Sequence, residues 1–152
     1  MPTYSESKAK LSASMSELAH KAREAEQTTV AAASDAQDKL EVRVAAARAT
    51  VAQRREDLKE RSAGVHDDLS SMWTGLRGHV HEQFEKIRSK IDEKRDDHDG
   101  KVSERRAERL ERHAAHAVDF AVYAIAEAAL AVIEAVEART IADALAPDNP
   151  PD

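Results

Sequence analysis

The sequence predicts an all-α fold, in which long helices form an antiparallel coiled-coil hairpin or an elongated helical bundle. Three observations carry this. First, the four prolines are Pro2, Pro147, Pro150 and Pro151, so the span between Thr3 and Ala146 is free of the residue that costs a helix interior about 3 kcal/mol. Second, charged residues make up 34% of the chain and aromatic residues 3%, a balance that suits solvated helices joined along shallow seams better than a deep core. Third, the larger apolar residues recur at steps of three and four, the period that keeps a stripe on one helix face.

Taken in order, Tyr4, Leu11, Met15, Leu18, Ala22 and Ala25 form a first seam. Ser34 with Gln37 then resembles a capping box. A second seam runs through Leu40, Val44, Val51, Leu58, Val65, Leu69, Met72, Leu76, Val80, Phe84, Ile87 and Ile91. Its steps mix heptad and eleven-residue spacing, which predicts a nearly straight contact rather than a regular leucine zipper. Gly64 offers a C-cap and Asp67 a new N-cap. Gly75 and Gly78 are further candidate breaks, but a glycine costs only about 1 kcal/mol inside a helix. The run Asp96-Asp97-His98-Asp99-Gly100 is the most turn-like in the chain. Breaks near 34, 64 and 100 would give four helices. The thin, alanine-rich seams favour instead one or two very long helices with a single break near Gly100.

The expected organisation is an extended charged helical region over 1–99, an alanine-rich amphipathic helix over 100–146, and a disordered tail over 147–152. Charge follows the same division loosely. From His113 onward there are 7 acidic residues and 1 basic one, so the whole net charge of −6 sits there. Upstream, acids and bases are interleaved, as in Glu82/Lys86 and Glu108/Arg112, each favourable pair being worth about 0.2–0.5 kcal/mol. At about 100° per residue, Asp119, Tyr123, Glu127, Glu134, Glu137, His116 and His113 share one face of the last helix. Val118, Ile125, Val132 and Val136 lie on the broad remaining arc, which must be covered by something. Those four residues, with Trp73, Leu76, Val80, Phe84, Ile87 and Ile91 in the middle seam, are the expected interface.

The run from Trp73 through Phe84, Ile87 and Ile91, together with Ala117-Val118-Asp119-Phe120-Ala121, Ala124-Ile125-Ala126-Glu127-Ala128, Val132, Glu134-Ala135 and Ala138-Arg139, resembles uncharacterised actinobacterial proteins. Those proteins pair a charged coiled-coil half with an alanine-rich, acidic C-terminal helix. The resemblance covers roughly Trp73 to Ala146 and implies a helical fold without implying an activity.

Chemistry finds few footholds. There is no cysteine, which excludes disulfides, thiolate zinc sites and cysteine nucleophiles. No glycine-rich phosphate loop or serine nucleophile elbow occurs, so no catalytic residue and no cofactor is expected. His113, His116 and Asp119 are the only candidate metal ligands, and they lack the Glu-x-x-His pairing of helical-bundle metal sites. The cluster Arg105, Arg106, Arg109 and Arg112 is interleaved with Glu104, Glu108 and Glu111, which argues against nucleic-acid binding. Central acids argue against a membrane span, and an acidic polar face argues against an anionic lipid surface. The expectation is a cytoplasmic, non-enzymatic structural or scaffolding protein that self-associates or binds another helical protein. A stress-protective or lipid-surface amphipathic protein and a weak metal-binding bundle stand as alternatives.

Overall fold

The computed structural model describes residues 4–62, 67–92 and 100–146. These form four helices, α1 (Tyr4–Ala32), α2 (Gln37–Ser62), α3 (Asp68–Asp92) and α4 (Gly100–Leu145), and no strand occurs among the described residues. The all-α expectation therefore holds. The preference for bridged breaks does not, because the chain leaves the helix over 33–36.

Local hydrogen bonding explains that break. The Ser34 N–H donates to the Ala31 carbonyl at 3.2 Å, an i→i−3 bond that tightens the last turn and stops its propagation. Just upstream, the Thr28 hydroxyl donates to the Glu24 carbonyl and the Thr29 hydroxyl to that of Glu26, both at 2.9 Å. Such back-bonding weakens a helix end. Ser34 and Gln37 do not form the expected capping box. Instead the Ala36 carbonyl accepts the Leu40 N–H at 3.0 Å, and the Asp35 carboxylate accepts the Arg43 guanidinium across the first turns of α2.

Asp67 caps α3 as its residue type predicts. Its Oδ1 accepts the Ser70 N–H at 2.6 Å, and its carbonyl accepts the Ser71 N–H at 3.1 Å, satisfying donors that a helix start leaves open. That backbone hydrogen bond to Ser70 is the main reason the Asp67 carboxyl titrates below its usual range. Gly75 and Gly78 sit inside α3 without breaking it, and a Cβ at either would meet nothing within 4 Å. Gly64 and 96–99 lie outside the described residues; Gly100 opens α4.

Two compact units are distinguished, one comprising Asp35–Ala114 and the other Met1–Ser34 with Ala115–Asp152. The change in composition at 99/100 coincides with the start of α4, whereas the compact units divide at 34/35 and 114/115. Neither unit has a deep interior. Among the described residues Ile91 alone is buried, at 8% exposure, and no polar or charged residue is buried.

Candidate interaction surface

In the unit Asp35–Ala114, the last turns of α3 meet the first turns of α4. The Phe84 and His113 rings pack edge to face with centroids 6.1 Å apart, and Arg106 Nη2 lies 3.4 Å from Asp92 Oδ1. The later residue of α3 pairs with the earlier residue of α4, and the reverse holds for the other contact. Ile91 lies beside Asp92 in sequence, and its burial is where this contact is tightest. The Arg106–Asp92 pair is about one-third exposed on both sides, so it contributes at most about 1 kcal/mol.

The side of α3 that this packing covers is narrower than its apolar stripe. Ser70, Arg77, Val80, His81, Phe84, Arg88 and Ile91 are at least half covered and lie along one face. Val80, Phe84 and Ile91 belong to both that face and the apolar stripe. Leu69, Leu76 and Ile87 lie about 60–80° to one side at 3.6 residues per turn, and all three are exposed. Trp73 faces nearly the same way as Ile91 yet is also exposed. The neighbour that covers Ile91 does not cover the N-terminal half of the helix.

In the other unit, each helix has one shielded side. On α1 it is marked by Leu11, Met15 and Leu18, and on α4 by Ala117, Ala128, Val132 and Val136. The α1 stripe matches the first sequence seam. On α4 the shielded side takes in two of the four expected contact residues, Val132 and Val136, while Val118 and Ile125 stay exposed. Alanines at 117 and 128 do much of the covered contact, because a small side chain leaves room for a close neighbour. Val122, Leu130, Ile133, Ile141 and Leu145 stand open to solvent. Leu130, Tyr123 and Ile141 fall on the acidic side of the helix. Sequence reading assigned that side to polar groups and so missed them, although their spacing of seven and eleven residues puts them on one line.

Electrostatics in this region are local. The Tyr123 hydroxyl hydrogen-bonds Glu127 one turn on, and this bond, reinforced by the carboxylate's charge, raises the phenol above its ordinary range. Most ion pairs elsewhere link residues three or four apart on one helix, such as Arg54–Asp57, Lys59–Glu56 and Arg88–Glu85. Asp143 Oδ2 and Arg106 Nε are shielded without a hydrogen-bond partner.

His113, His116 and Asp119 do not assemble into a metal site. No group of three or more histidine, aspartate or glutamate side chains is placed to hold an ion among the described residues. The reason is geometric: six residues turn a helix by about 240° beyond a full turn, so His113 and Asp119 point apart, and His113 is engaged with Phe84. One helix among the described residues, within Ser103–Leu145, is long and apolar enough by length and composition to cross a membrane, and its apolar stretch is not buried in the protein. No family model, curated protein or solved structure matches the chain.

Proposed function

We propose that this chain is a non-enzymatic structural or scaffolding protein that acts by helix–helix self-association or by binding another helical protein. The observation that carries the reading is the mismatch between apolar surface and cover. Trp73, Leu76, Val122, Ile133 and Ile141 stand exposed on long helices while Ile91 is the one buried residue described. Contiguous apolar rows of this kind mark surfaces that bind something. A helix gains most of its stability from packing of its apolar face, so a neighbouring helix laid along these rows would supply what the chain does not supply to itself. The two α3–α4 contacts favour an antiparallel hairpin as the unit that presents them. The absence of cysteine and the polar N-terminal residues favour a cytoplasmic setting, and the net charge of −6 disfavours nucleic acid.

Sedimentation equilibrium of the full chain is the decisive measurement. A concentration-dependent oligomer is expected, and a compact monomer at all concentrations, binding no helical partner, would remove the reading. A second reading, attachment to a lipid surface, is favoured by the open apolar stretch of α4. A full crossing would place Glu127 and Glu134 in the hydrocarbon, where each acid costs about 2.5–3.5 kcal/mol near the centre. Circular dichroism and flotation with vesicles separate the readings: unchanged helicity and no flotation would reject the lipid surface.

A further inference from the structure

The side of α4 turned away from its shielded stripe carries charge in an ordered sequence. At about 100° per residue, Arg109, Arg112, Tyr123, Glu134 and Glu137 fall within about 80° of one another. The stripe of Ala128, Val132 and Val136 is centred about 180° away. Cations therefore precede Tyr123 on this side and carboxylates follow it. None of these four charged residues makes an ion pair with a described residue. Leu130 and Ile141 lie on the same side and are 51% and 53% exposed.

We infer that a second copy of this chain docks on this side of α4, with the two α4 helices antiparallel and the twofold axis at Tyr123. The inference rests on the self-association reading and adds to it a face, a direction and a register. Spacing fixes the register. Arg109 and Glu137 are each 14 residues from Tyr123, and Arg112 and Glu134 are each 11. Turning one helix end for end about Tyr123 lays Arg109 against Glu137 of the partner subunit and Arg112 against Glu134 of the partner subunit. The twofold axis repeats both pairs, giving four attractive contacts. A parallel arrangement would stack arginine on arginine and glutamate on glutamate. The antiparallel register also brings Asp119 near Glu127 of the partner subunit, a like-charge apposition that occurs twice and is outnumbered. A lipid surface would meet the apolar residues but would not match cations followed by carboxylates.

The test uses the full chain, with circular dichroism as a control for helicity. Arg109→Glu with Arg112→Glu should weaken dimerisation by about tenfold or more, because four attractive contacts become repulsive. Glu134→Arg with Glu137→Arg should do the same. An equimolar mixture of the two double variants should associate at least as well as the unaltered chain, since every contact is then attractive again. Single thiols check the register independently of these reversals. Tyr123→Cys should cross-link to its own copy through a short bismaleimide, whereas Glu137→Cys should not, because two such positions would lie about 42 Å apart at 1.5 Å per residue. A dimer unaffected by either reversal, or one in which Glu137→Cys cross-links to itself, would overturn the docking while leaving self-association standing. An unaltered chain that stays monomeric would overturn both. A monomer that binds phosphatidylcholine–phosphatidylglycerol vesicles through α4 would give this face to lipid and equally overturn the inference.

Discussion

The C-terminal end of α3 and the distal part of α4 make an instructive pair. The α3 end is highly charged, yet it holds the one buried residue described, Ile91. Distal α4 is far richer in apolar residues, yet Ile133 is 65% exposed and Val122 62%. Apolar content alone therefore does not decide what is covered. Ile91 is covered because only 93–99 separate α3 from α4, and a short connection costs little entropy to close. Bulky side chains near that connection, Phe84 and Ile91, can then meet a neighbour. Distal α4 relies on alanine for its shielded side, and its larger residues point elsewhere.

The largest expected effect tests this contrast directly. Ile91→Ala should destabilise the protein by about 2–3 kcal/mol, from lost transfer free energy and a residual cavity. Ile133→Ala, measured in dilute monomer, should change stability by no more than about 0.5 kcal/mol, as exposed substitutions do. Thermal melting of both variants decides it. Equal losses would mean that Ile133 is covered by a neighbour and would break the contrast.

Next in size, Gly75→Ala and Gly78→Ala should each raise stability by about 0.5–1 kcal/mol, because helix propensity improves and the added Cβ meets nothing. A rise in melting temperature with unchanged or greater helicity is the expected result. A fall would show that the open flank of α3 near Trp73 is closely approached by another chain. Asp92→Asn should cost less, about 0.5 kcal/mol, and the loss should shrink in high salt. A salt-independent loss would identify the Arg106 contact as packing rather than charge.

The smallest effects are in pH. Asp67 titrates below its ordinary value because its carboxylate accepts the Ser70 N–H. Its contribution to the start of α3 is thus present above the usual carboxylate range and lost as pH falls through the depressed value. Tyr123 titrates above its ordinary value because of Glu127, so its contribution is present below the usual phenol range and lost as pH rises through the raised value. Helicity followed through acid should respond to Asp67→Ala, and absorbance of the phenolate in alkali should respond to Glu127→Gln. Insensitivity of either titration to its variant would sever the stated cause.

Much of the fold was legible in particular residues. The proline-free span, the Asp67 cap and the Leu11–Met15–Leu18 stripe each act within one or two helical turns, where sequence neighbours are also spatial neighbours. The break at 33–36 was harder to read. It depends on whether Thr28, Thr29, Ser34 and Asp35 divert backbone bonding, a balance of contributions near 1 kcal/mol each. The candidate surface was legible in outline. Periodicity identified Val80, Phe84 and Ile91 as a line, but it could not tell them from Trp73, Leu76 and Ile87, which repeat at the same spacing.

The chain by itself determined that it is helical, where Asp67 starts a helix, and which residues share each face, because those follow from backbone bonding and a fixed turn of about 100° per residue. Only tertiary structure decided which part of each face is covered: Ile91 against Trp73, Val132 against Val118, His113 drawn to Phe84 and away from Asp119. Cover depends on where a neighbouring helix ends and how closely its side chains allow approach, and no single helix carries that information.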